Sequence, residues 1–323
     1  MIWVTGAGGM IGSHMMEFFA ERSLPAFGTF YMPTTDITEL CSSIEMHECD
    51  IRNSAKVDAF VCYRKPDVIF HLAAQSFPAV SWEKPLETIE TNIGGTINVF
   101  EAVKRVRAID SSYDPMVVVA CSSAEYGSTL DNLTAPVTED TSFEPVHPYG
   151  VSKVGQDLLS RQYFVNDDIR CIRARIFNTT GTRKVGDVCS DFVRRVVEQE
   201  YTEGAINLRV GNVETYRAIL DCRDTISALY LLAQKGIAGE AYNISSTKVY
   251  QIKEIIDALE RLTKRPIERS VDLSLLRPTD ERVITGDVRK LVLHTGWSQS
   301  ITLEETLKDM LDYWRKKSHA PNR

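Results

Sequence analysis

The sequence predicts an α/β fold with a doubly wound, mostly parallel sheet. Short apolar runs alternate with amphipathic segments through the first half of the chain, and the runs 67–72 and 116–122 are apolar on both faces, as in strands covered by helices on both sides. Strands that alternate with helices at this spacing form βαβ units. The predicted strands are 1–5, 25–31, 67–72, 116–122 and 170–176, and the predicted helices are 11–22, 91–105 and 149–164.

A glycine-rich turn follows the first predicted strand and opens the first predicted helix. Gly6 allows a tight turn, Gly9 lets backbone N–H groups approach a pyrophosphate, and Gly12 lets the helix pack closely on the strand. The N-terminus of that helix faces the negative charge of the ligand. The pattern therefore predicts a Rossmann dinucleotide site, whose turn consists of Gly6, Gly9, Met10, Ile11 and Gly12.

The sequence leaves the choice between NAD and NADP open. A carboxylate near the end of the second strand holds the ribose hydroxyls in NAD sites, and a nearby arginine accommodates the 2′-phosphate of NADP. The segment Gly28-Thr29-Phe30-Tyr31 offers neither, and Asp36, the nearest carboxylate, stands further along the chain. Asp50-Ile51 follows a later apolar run, and Asp50 fits an acceptor for the adenine amino group.

The second half of the chain is less regular and predicts a smaller domain. We expect residues 1–178 to form the NAD(P)-binding Rossmann domain, with 219–245 returning to it, and 179–323 to form mainly a substrate domain. Loops rich in Gly, Asn and Thr separate the elements of this half, which are a helix at 188–200, a strand–helix piece at 219–235, and helices at 251–263 and 302–316.

Three residues form a candidate catalytic set. Ser122 ends the strand 116–122, and ligands of open α/β sheets bind beyond the carboxyl ends of the strands. Tyr149 and Lys153 stand four residues apart and so share one face of the predicted helix. A nearby ammonium favours the phenolate form of a tyrosine and brings it towards useful acid–base strength. Ser122, Tyr149 and Lys153 therefore predict proton transfer at a carbonyl or alcohol.

Composition excludes several classes of function. Of the 323 residues, 43% are hydrophobic and 25% are charged, which is ordinary for a globular protein. The net charge of −7 argues against binding to nucleic acid or anionic membranes. No apolar stretch is long enough for a membrane span, and the first residues lack the basic and apolar regions that would predict a signal peptide. Seven scattered cysteines without a C-x-x-C pair favour a cytoplasmic, metal-free protein without disulfides.

These motifs resemble the extended short-chain dehydrogenase/reductases that act on nucleotide sugars. Within that family the chain most resembles the GDP-mannose branch, which contains 4,6-dehydratases and 4-keto-6-deoxy-mannose reductases. The matching segments are TGAGGMIG (5–12), HLAAQS (71–76), TNIGGTINVFEA (91–102), CSSAEYG (121–127), PYGVSK (148–153), RIFNTTG (175–181), RVGN (209–212), DCRD (221–224), YNISS (242–246) and LRPTD (276–280).

The resemblance implies roles for further residues. It places Leu72, Ala73 and Ala74 at the cofactor, and it makes Lys153 a ligand of the nicotinamide ribose. On the substrate side it places Asn178 near the sugar and phosphates, and Arg217 and Arg277 on the pyrophosphate, where a guanidinium donates bidentately. The segment from Val188 to Asp191 would surround the base, with Asp191 accepting from guanine. Ser76 and Glu125 complete the implied substrate contacts.

The turn after Ser122 separates two reactions. In the 4,6-dehydratases an acid stands two residues before the Tyr-Gly pair and helps to eliminate water across C5–C6. Here that position is Ala124, and Glu125 is offset by one residue, which reverses the face on an extended strand. The favoured interpretation is thus reversible hydride transfer at C4 of a GDP-linked sugar, as in GDP-4-keto-6-deoxy-mannose reductases. The alternatives are a GDP-mannose 4,6-dehydratase that uses Glu125, a UDP- or CDP-sugar 4-epimerase, and a non-catalytic NAD(P) sensor.

The helices 91–105 and 149–164 each carry more apolar positions than one buried face needs. Members of the family pair through these two helices. We therefore expect a homodimer or a dimer of dimers, in keeping with the closed symmetry of most soluble oligomers.

Overall fold

The computed structural model describes residues 1–130, 135–275 and 283–319. The strands are β1 (Ile2–Thr5), β2 (Ala26–Phe30), β3 (Glu45–Glu48), β4 (Val68–His71), β5 (Met116–Ser122), β6 (Cys171–Ile176), β7 (Thr179–Thr180), β8 (Ile206–Val210), β9 (Tyr216–Arg217), β10 (Leu220–Asp221), β11 (Ala241–Ile244), β12 (Tyr250–Gln251), β13 (Ile267–Val271) and β14 (Val283–Ile284). The helices are α1 (Met10–Glu21), α2 (Ser54–Arg64), α3 (Pro78–Glu83), α4 (Pro85–Ile89), α5 (Gly95–Ile109), α6 (Pro148–Asp167), α7 (Val188–Gln199), α8 (Cys222–Lys235), α9 (Ile252–Thr263), α10 (Arg289–Thr295) and α11 (Leu303–His319).

A seven-stranded sheet organises the first half of the chain. Its strand order is β11-β6-β5-β4-β1-β2-β3, and all six neighbouring pairs are parallel. The order reverses direction beside β1, as it does in doubly wound folds. The predicted fold class is therefore confirmed, and the carboxyl ends of the strands meet at one edge of the sheet.

Helices cover the sheet on both faces. On one face α1, α8 and α10 bury Phe19, Leu229 and Leu291 against β1, β5 and β6. On the other face α2 and α5 contribute Val57, Phe100 and others to a second cluster. Because both faces are covered, the central strands β4 and β5 are apolar on both faces up to their last residues, His71 and Ser122, which is the pattern that the sequence shows.

A separate core lies outside the sheet. It brings together apolar side chains from α7, β8, α9 and α11, among them Val193, Leu208, Ile255 and Leu307. The strands β8 and β13 pair in parallel beside it. Of the described residues, none belongs to a helix that combines the length and the apolar run needed to cross a membrane.

Several elements differ from the sequence prediction. The edge strand β3 and the helices α2, α3 and α4 were not predicted, because β3 (Glu-Met-His-Glu) has polar residues at three of its four positions and α3 and α4 are only six and five residues long. The helix predicted at 91–105 divides into a π-helical segment, Glu90–Gly94, and α5, which ends at Ile109. The last strand of the sheet, β11, lies within the range 219–245 and pairs with β6.

Candidate active site

The glycine turn forms a cradle into which side chains would not fit. Gly6 has a φ of +69°, and a Cβ there would lie 2.7 Å from the backbone nitrogen of Ala73. A Cβ on Gly12 would collide with the carbonyl oxygen of Gly6. Gly9 caps α1 without a side-chain hydrogen bond, so the N–H groups of the first turn, which includes Met10 and Ile11, remain available to an anion. The turn thus fits a dinucleotide pyrophosphate.

The loop after β4 is fixed beside this cradle. The side-chain oxygen of Thr5 accepts hydrogen bonds from the backbone nitrogens of Leu72 and Ala73 at 3.1 and 3.0 Å, and it also contacts Nδ1 of His71 at 3.0 Å. Burial lowers the pKa of His71 to about 3, so its imidazole is neutral. Ala74 and the exposed Ser76 follow in the same loop.

The predicted adenine ligands lie near the end of β3. The Asp50 carboxylate accepts from the Arg52 guanidinium at 2.7 Å, and this hydrogen bond lowers the pKa of Asp50. Ile51 is buried, and its carbonyl accepts from Asn98 at 2.9 Å. Asp50 is partly exposed and ionised, so it is able to accept from an adenine amino group in addition to Arg52.

Ser122 and Tyr149 are in contact. Ser122 ends β5, and its Oγ accepts from the backbone nitrogen of Ala124 at 3.2 Å. Burial raises the pKa of Tyr149 to about 12, and the Ser122 side chain lies close enough to the Tyr149 hydroxyl to oppose that rise. In the free protein Tyr149 is therefore protonated at neutral pH and is able to act as a proton donor.

Lys153 lies one helical turn beyond Tyr149, and its Nζ is 5.8 Å from the centre of the Tyr149 ring. The side chain is 3% exposed, and Nζ donates to the carbonyl oxygen of Ala120 and to Oε1 of Gln156, both at 2.7 Å. Burial lowers the pKa of Lys153 to about 8. An ammonium has three N–H donors, so one remains for a ligand hydroxyl.

Asn92 is a site residue that sequence reasoning missed. It is fully buried in the π-helical segment, and its side-chain amide pairs with the backbone nitrogen and oxygen of Gln75 at 2.8 and 3.0 Å. The same amide donates to Ser152 Oγ at 2.8 Å, between Tyr149 and Lys153. Asn92 therefore ties the loop after β4 to the catalytic helix. A π-helical segment often marks a functional site, but periodicity alone does not predict one.

Glu125 does not lie among groups that are able to contact a substrate. Its side chain is 0% exposed, and Oε1 accepts from the backbone nitrogen of Ser122 at 2.7 Å. Its other oxygen lies 3.5 Å from Nε of Arg175, beneath the sheet edge. The substrate contact expected for Glu125 is therefore corrected, because the short 3-10 turn Ser123–Glu125 directs this side chain inward. The backbone of Ala124 lies against the catalytic helix, since a Cβ on Gly150 would lie 2.7 Å from the carbonyl oxygen of Ala124.

Asn178 follows β6 at the same sheet edge as Ser122. Ser122 pairs with Ile176 in the register of β5 and β6, and Asn178 stands two positions beyond Ile176. The Asn178 carbonyl accepts from Leu220 at 2.9 Å, whereas its buried Nδ2 has no hydrogen-bond acceptor among the residues that the structure describes. A buried donor without an acceptor indicates a place for a ligand.

The remaining expected substrate residues lie on other elements. Arg217 is partly buried in β9, and its guanidinium donates to the carbonyl oxygen of Tyr216 at 2.9 Å. Val188 and Asp191 lie in the first turn of α7, which Asp187 caps. Arg277 lies outside the described residues.

The sheet topology brings most of the predicted groups to one edge. Gly6, Leu72 and Asn178 follow the carboxyl ends of β1, β4 and β6, and Ser122 is the last residue of β5, so the four residues mark the ends of four adjacent strands. Ligands of open α/β sheets bind at this edge. The arrangement combines a pyrophosphate cradle, a Ser–Tyr–Lys set and an unpaired amide donor.

Comparison with known proteins agrees with this arrangement. The profile of the family described as "GDP-mannose 4,6 dehydratase" matches residues 3–310. The chain is 26% identical over 317 residues to the GDP-6-deoxy-D-mannose reductase of Pseudomonas aeruginosa, a match that covers 98% of this chain and 97% of that protein. It is 25% identical to GDP-mannose 4,6 dehydratase 1 of Arabidopsis thaliana, with 96% of this chain and 88% of that protein covered.

Solved structures show the same fold. The structure of RMD from Pseudomonas aeruginosa complexed with NADPH superimposes with a TM-score of 0.84 at 25% identity, covering 98% of this chain and 99% of that one. The UDP-glucose 4-epimerase of Thermotoga maritima with UDP-glucose gives a TM-score of 0.87 at 23% identity, covering 98% and 99%.

Proposed function

Because the chain belongs to the GDP-mannose 4,6 dehydratase family, we propose that it transfers a hydride reversibly between NAD(P)H and C4 of a GDP-linked 4-keto-6-deoxy sugar. The observation that carries the proposal is the contact between Ser122 and Tyr149 at the sheet edge beside the glycine turn. The chain is an NAD(P)-dependent enzyme of the extended short-chain dehydrogenase/reductase type. The similarity to the GDP-6-deoxy-D-mannose reductase of Pseudomonas aeruginosa supports GDP-4-keto-6-deoxy-mannose as the substrate of this chain.

The glycine turn fits the cofactor because it has no side chains in the way. A Cβ on Gly6 would already be too close to the backbone of Ala73. Met10 and Ile11 would offer backbone N–H groups to its pyrophosphate, whereas the N–H of Gly9 donates to the carbonyl oxygen of Gly6 at 3.0 Å. Lys153 has a donor left for the ribose. Bound NAD(P)H supplies the hydride. The sequence does not decide between the two cofactors, and the relative solved with NADPH makes NADPH the first one to test.

The chain's own residues then handle the proton. In the reducing direction C4 gains the hydride, and its carbonyl oxygen gains a proton from the Tyr149 hydroxyl. Ser122 donates to the same oxygen, and the ammonium of Lys153 stabilises the phenolate that Tyr149 becomes. A high pKa in the free protein keeps Tyr149 protonated before each turnover, which is the state that reduction needs.

A 4,6-dehydratase needs a general acid to eliminate water from the sugar. The turn Ser123–Glu125 does not present such an acid to the cleft. Ala124 stands at the position of the acid, next to the catalytic helix, whereas Glu125 is fully buried behind Ser122. A general acid must reach the group that it protonates within hydrogen-bond distance. This geometry favours the reductase over the dehydratase, although the family includes both names.

Substrate binding completes the proposal. Asn178 would contact the sugar or its phosphates through its unpaired Nδ2, and Arg217 and Arg277 would bind the pyrophosphate. Val188 and Asp191 would lie against guanine, and Ser76 would lie at the sugar. We assign the lobe built on α7, α9 and α11 to substrate binding and the sheet to the cofactor. The seven cysteines, which are all unpaired, support a reducing, cytoplasmic location.

The first experiment compares two substrates. With GDP-mannose alone, we expect no product lighter by one water in the mass spectrum. With a GDP-linked 4-keto-6-deoxy sugar and NADPH, we expect loss of reduced-nicotinamide absorbance in proportion to sugar reduced. The UDP-linked counterpart should react more slowly, because it lacks the guanine contacts.

Other results of this experiment would contradict the proposal and support one of the alternative functions. Dehydration of GDP-mannose that stops in Glu125→Gln would make the chain a dehydratase. Interconversion of a UDP-sugar without net consumption of NADPH would make it an epimerase. Absence of turnover in every arm, with NADPH still bound, would favour a sensor.

The proposal includes a homodimer formed through α6. Val151, Leu158 and Val165 recur every seven residues along α6 and are 48%, 49% and 64% exposed. By contrast, α5 directs Val99, Phe100 and Val103 into the core, so the surplus apolar face expected for that helix is mostly buried. Two copies of the α6 stripe would bury each other in a symmetric interface.

Charging this stripe should dissociate the dimer. We expect wild-type protein to elute as a dimer in size exclusion with light scattering, and the double variant Leu158→Glu, Val165→Glu to elute as a monomer with an unchanged circular dichroism spectrum. Leu293→Glu is the matched control, because Leu293 is 80% exposed on α10, away from the stripe. A wild-type monomer at micromolar concentration would contradict the proposed interface.

A further inference from the structure

Two buried polar side chains lie directly behind the catalytic groups. Glu125 and Gln156 are both 0% exposed. Oε1 of Glu125 accepts from the backbone nitrogen of Ser122 at 2.7 Å, and Oε1 of Gln156 accepts from Nζ of Lys153 at 2.7 Å. Each side chain therefore holds one member of the catalytic set.

Each of these side chains also has an unpaired atom. Within the described part of the chain, neither Oε2 of Glu125 nor Nε2 of Gln156 has a hydrogen-bond partner. A buried polar atom without a partner destabilises a fold, whereas an apolar side chain of similar shape avoids that cost. Oε2 of Glu125 has Nε of Arg175 at 3.5 Å, an ion pair without a hydrogen bond. The hydrogen bonds to Ser122 and Lys153 give the two side chains a role that an apolar residue would not fill.

Glu125 fixes the backbone at Ser122. The hydrogen bonds from Ser122 nitrogen to Glu125 and from Ala124 nitrogen to Ser122 Oγ form a reciprocal capping box around the 3-10 turn. This box sets the direction of the Ser122 hydroxyl, which contacts Tyr149. Glu125 thus acts on Tyr149 through Ser122.

Gln156 supplies Lys153 with an acceptor that carries no charge. The ionisable groups around Nζ are His71 on β4, Cys121 on β5, Glu125 on the turn and Tyr149 on α6. Burial raises the pKa of Glu125 well above its usual range, and Asp157 adds to that effect across the same space, while Arg175 opposes it. Burial thus favours the neutral form of the Glu125 carboxyl. The two acceptors that Nζ contacts, the carbonyl oxygen of Ala120 and Oε1 of Gln156, are both uncharged.

We propose that Glu125 and Gln156 are positioning residues, a hydrogen-bonding layer in which Glu125 fixes Ser122 from behind and Gln156 gives the Lys153 ammonium an uncharged acceptor. The inference rests on the proposed function, because it assigns Lys153 to the cofactor ribose. It goes beyond that function because two residues that lie outside the cleft would then set the pH dependence of NADPH binding.

The test uses the affinity for NADPH as a function of pH, measured by nicotinamide fluorescence without any sugar. Wild-type affinity should fall as Lys153 loses its proton, near pH 8. This fall in affinity is the basic limb of the pH profile. Gln156→Glu places a carboxylate against Nζ and should raise the pH of this limb by about 1 to 3 units. Gln156→Met removes the acceptor and should move it downward. Gln162→Met, on the exposed face of the same helix, is the control and should leave the limb in place.

Glu125 is tested by rescue. Glu125→Leu removes the acceptor for the Ser122 nitrogen and should lower kcat about tenfold with little change in KM for NADPH, since one hydrogen bond is lost. Glu125→Gln keeps a neutral acceptor and should recover most of that rate. If kcat is lowered equally in Glu125→Leu and Glu125→Gln, the proposed positioning role of Glu125 is wrong.

The binding limb separates this inference from the proposed function. If the pH of the limb changes as expected in the Gln156 variants but no sugar nucleotide is reduced, the proposed function is wrong and the positioning layer is still supported. If the limb is the same in wild type, Gln156→Glu and Gln156→Met, the layer is wrong even when the enzyme is active. Gln156→Met is nearly isosteric and apolar, so it gives this answer even if the charged variant does not fold.

Discussion

Tyr149→Phe should lower kcat by about 10²- to 10⁴-fold, the usual contribution of a general acid. The phenyl ring keeps the packing of α6 but has no proton to give to the C4 oxygen. NADPH affinity should stay within a few-fold of wild type, because the glycine turn and Lys153 are unchanged. The measurement is steady-state reduction of a GDP-linked 4-keto-6-deoxy sugar, together with NADPH titration.

Tyr163→Phe is the matched control for this experiment. Tyr163 lies in the same helix, is 5% exposed and donates to Glu101 at 2.8 Å, away from the sheet edge. We expect it to keep wild-type turnover. Wild-type turnover in Tyr149→Phe would remove Tyr149 from the reaction and with it the proposed proton path.

Arg175→Met should destabilise the fold by about 3–5 kcal/mol, because it leaves a buried carboxylate without one of its partners. Nε of Arg175 donates to Asp157 at 2.9 Å, and the guanidinium also donates to Tyr126 and to the carbonyl oxygen of Glu139. Asp157 is 0% exposed, and among the described side chains that donate to it only Arg173 would remain. Urea unfolding followed by circular dichroism measures the change.

A surface arginine gives the comparison. Arg289 donates to Asp287 at 2.8 Å, but its side chain is 87% exposed, so Arg289→Met should leave the unfolding midpoint close to that of the wild type. Equal shifts of the unfolding midpoint in the two variants would mean that the Asp157 cluster contributes no more than a surface pair.

The strongest local patterns were sufficient to predict the sheet and its cofactor edge. The double-faced apolar runs of β4 and β5 and the glycine turn depend on neighbouring residues only, and the structure confirms the fold that they predict. The edge strand β3 has polar residues at three of its four positions, since it pairs on one side only, and an apolar pattern does not reveal it.

Other features depend on contacts that the sequence does not display. The position of Glu125 follows from one 3-10 turn, which decides whether a carboxyl points to the cleft or to the core. Asn92 contacts Gln75 and Ser152, which are far from it and from each other along the chain. Spacing rules describe neighbours on one element, so they do not predict such a three-way contact.

The position of β11 late in the sequence affects how the sheet is completed during synthesis on the ribosome. Strand β6 ends at Ile176, but its outer neighbour in the sheet begins only at Ala241, after the chain has passed through α7, β8 and α8. During synthesis the hydrogen-bonding edge of β6 thus stays open until that later segment leaves the ribosome, and an open edge invites pairing with other chains. A nascent chain stalled or truncated between these two strands should therefore aggregate, and the two lobes cannot be released as separate folded pieces by a single cut.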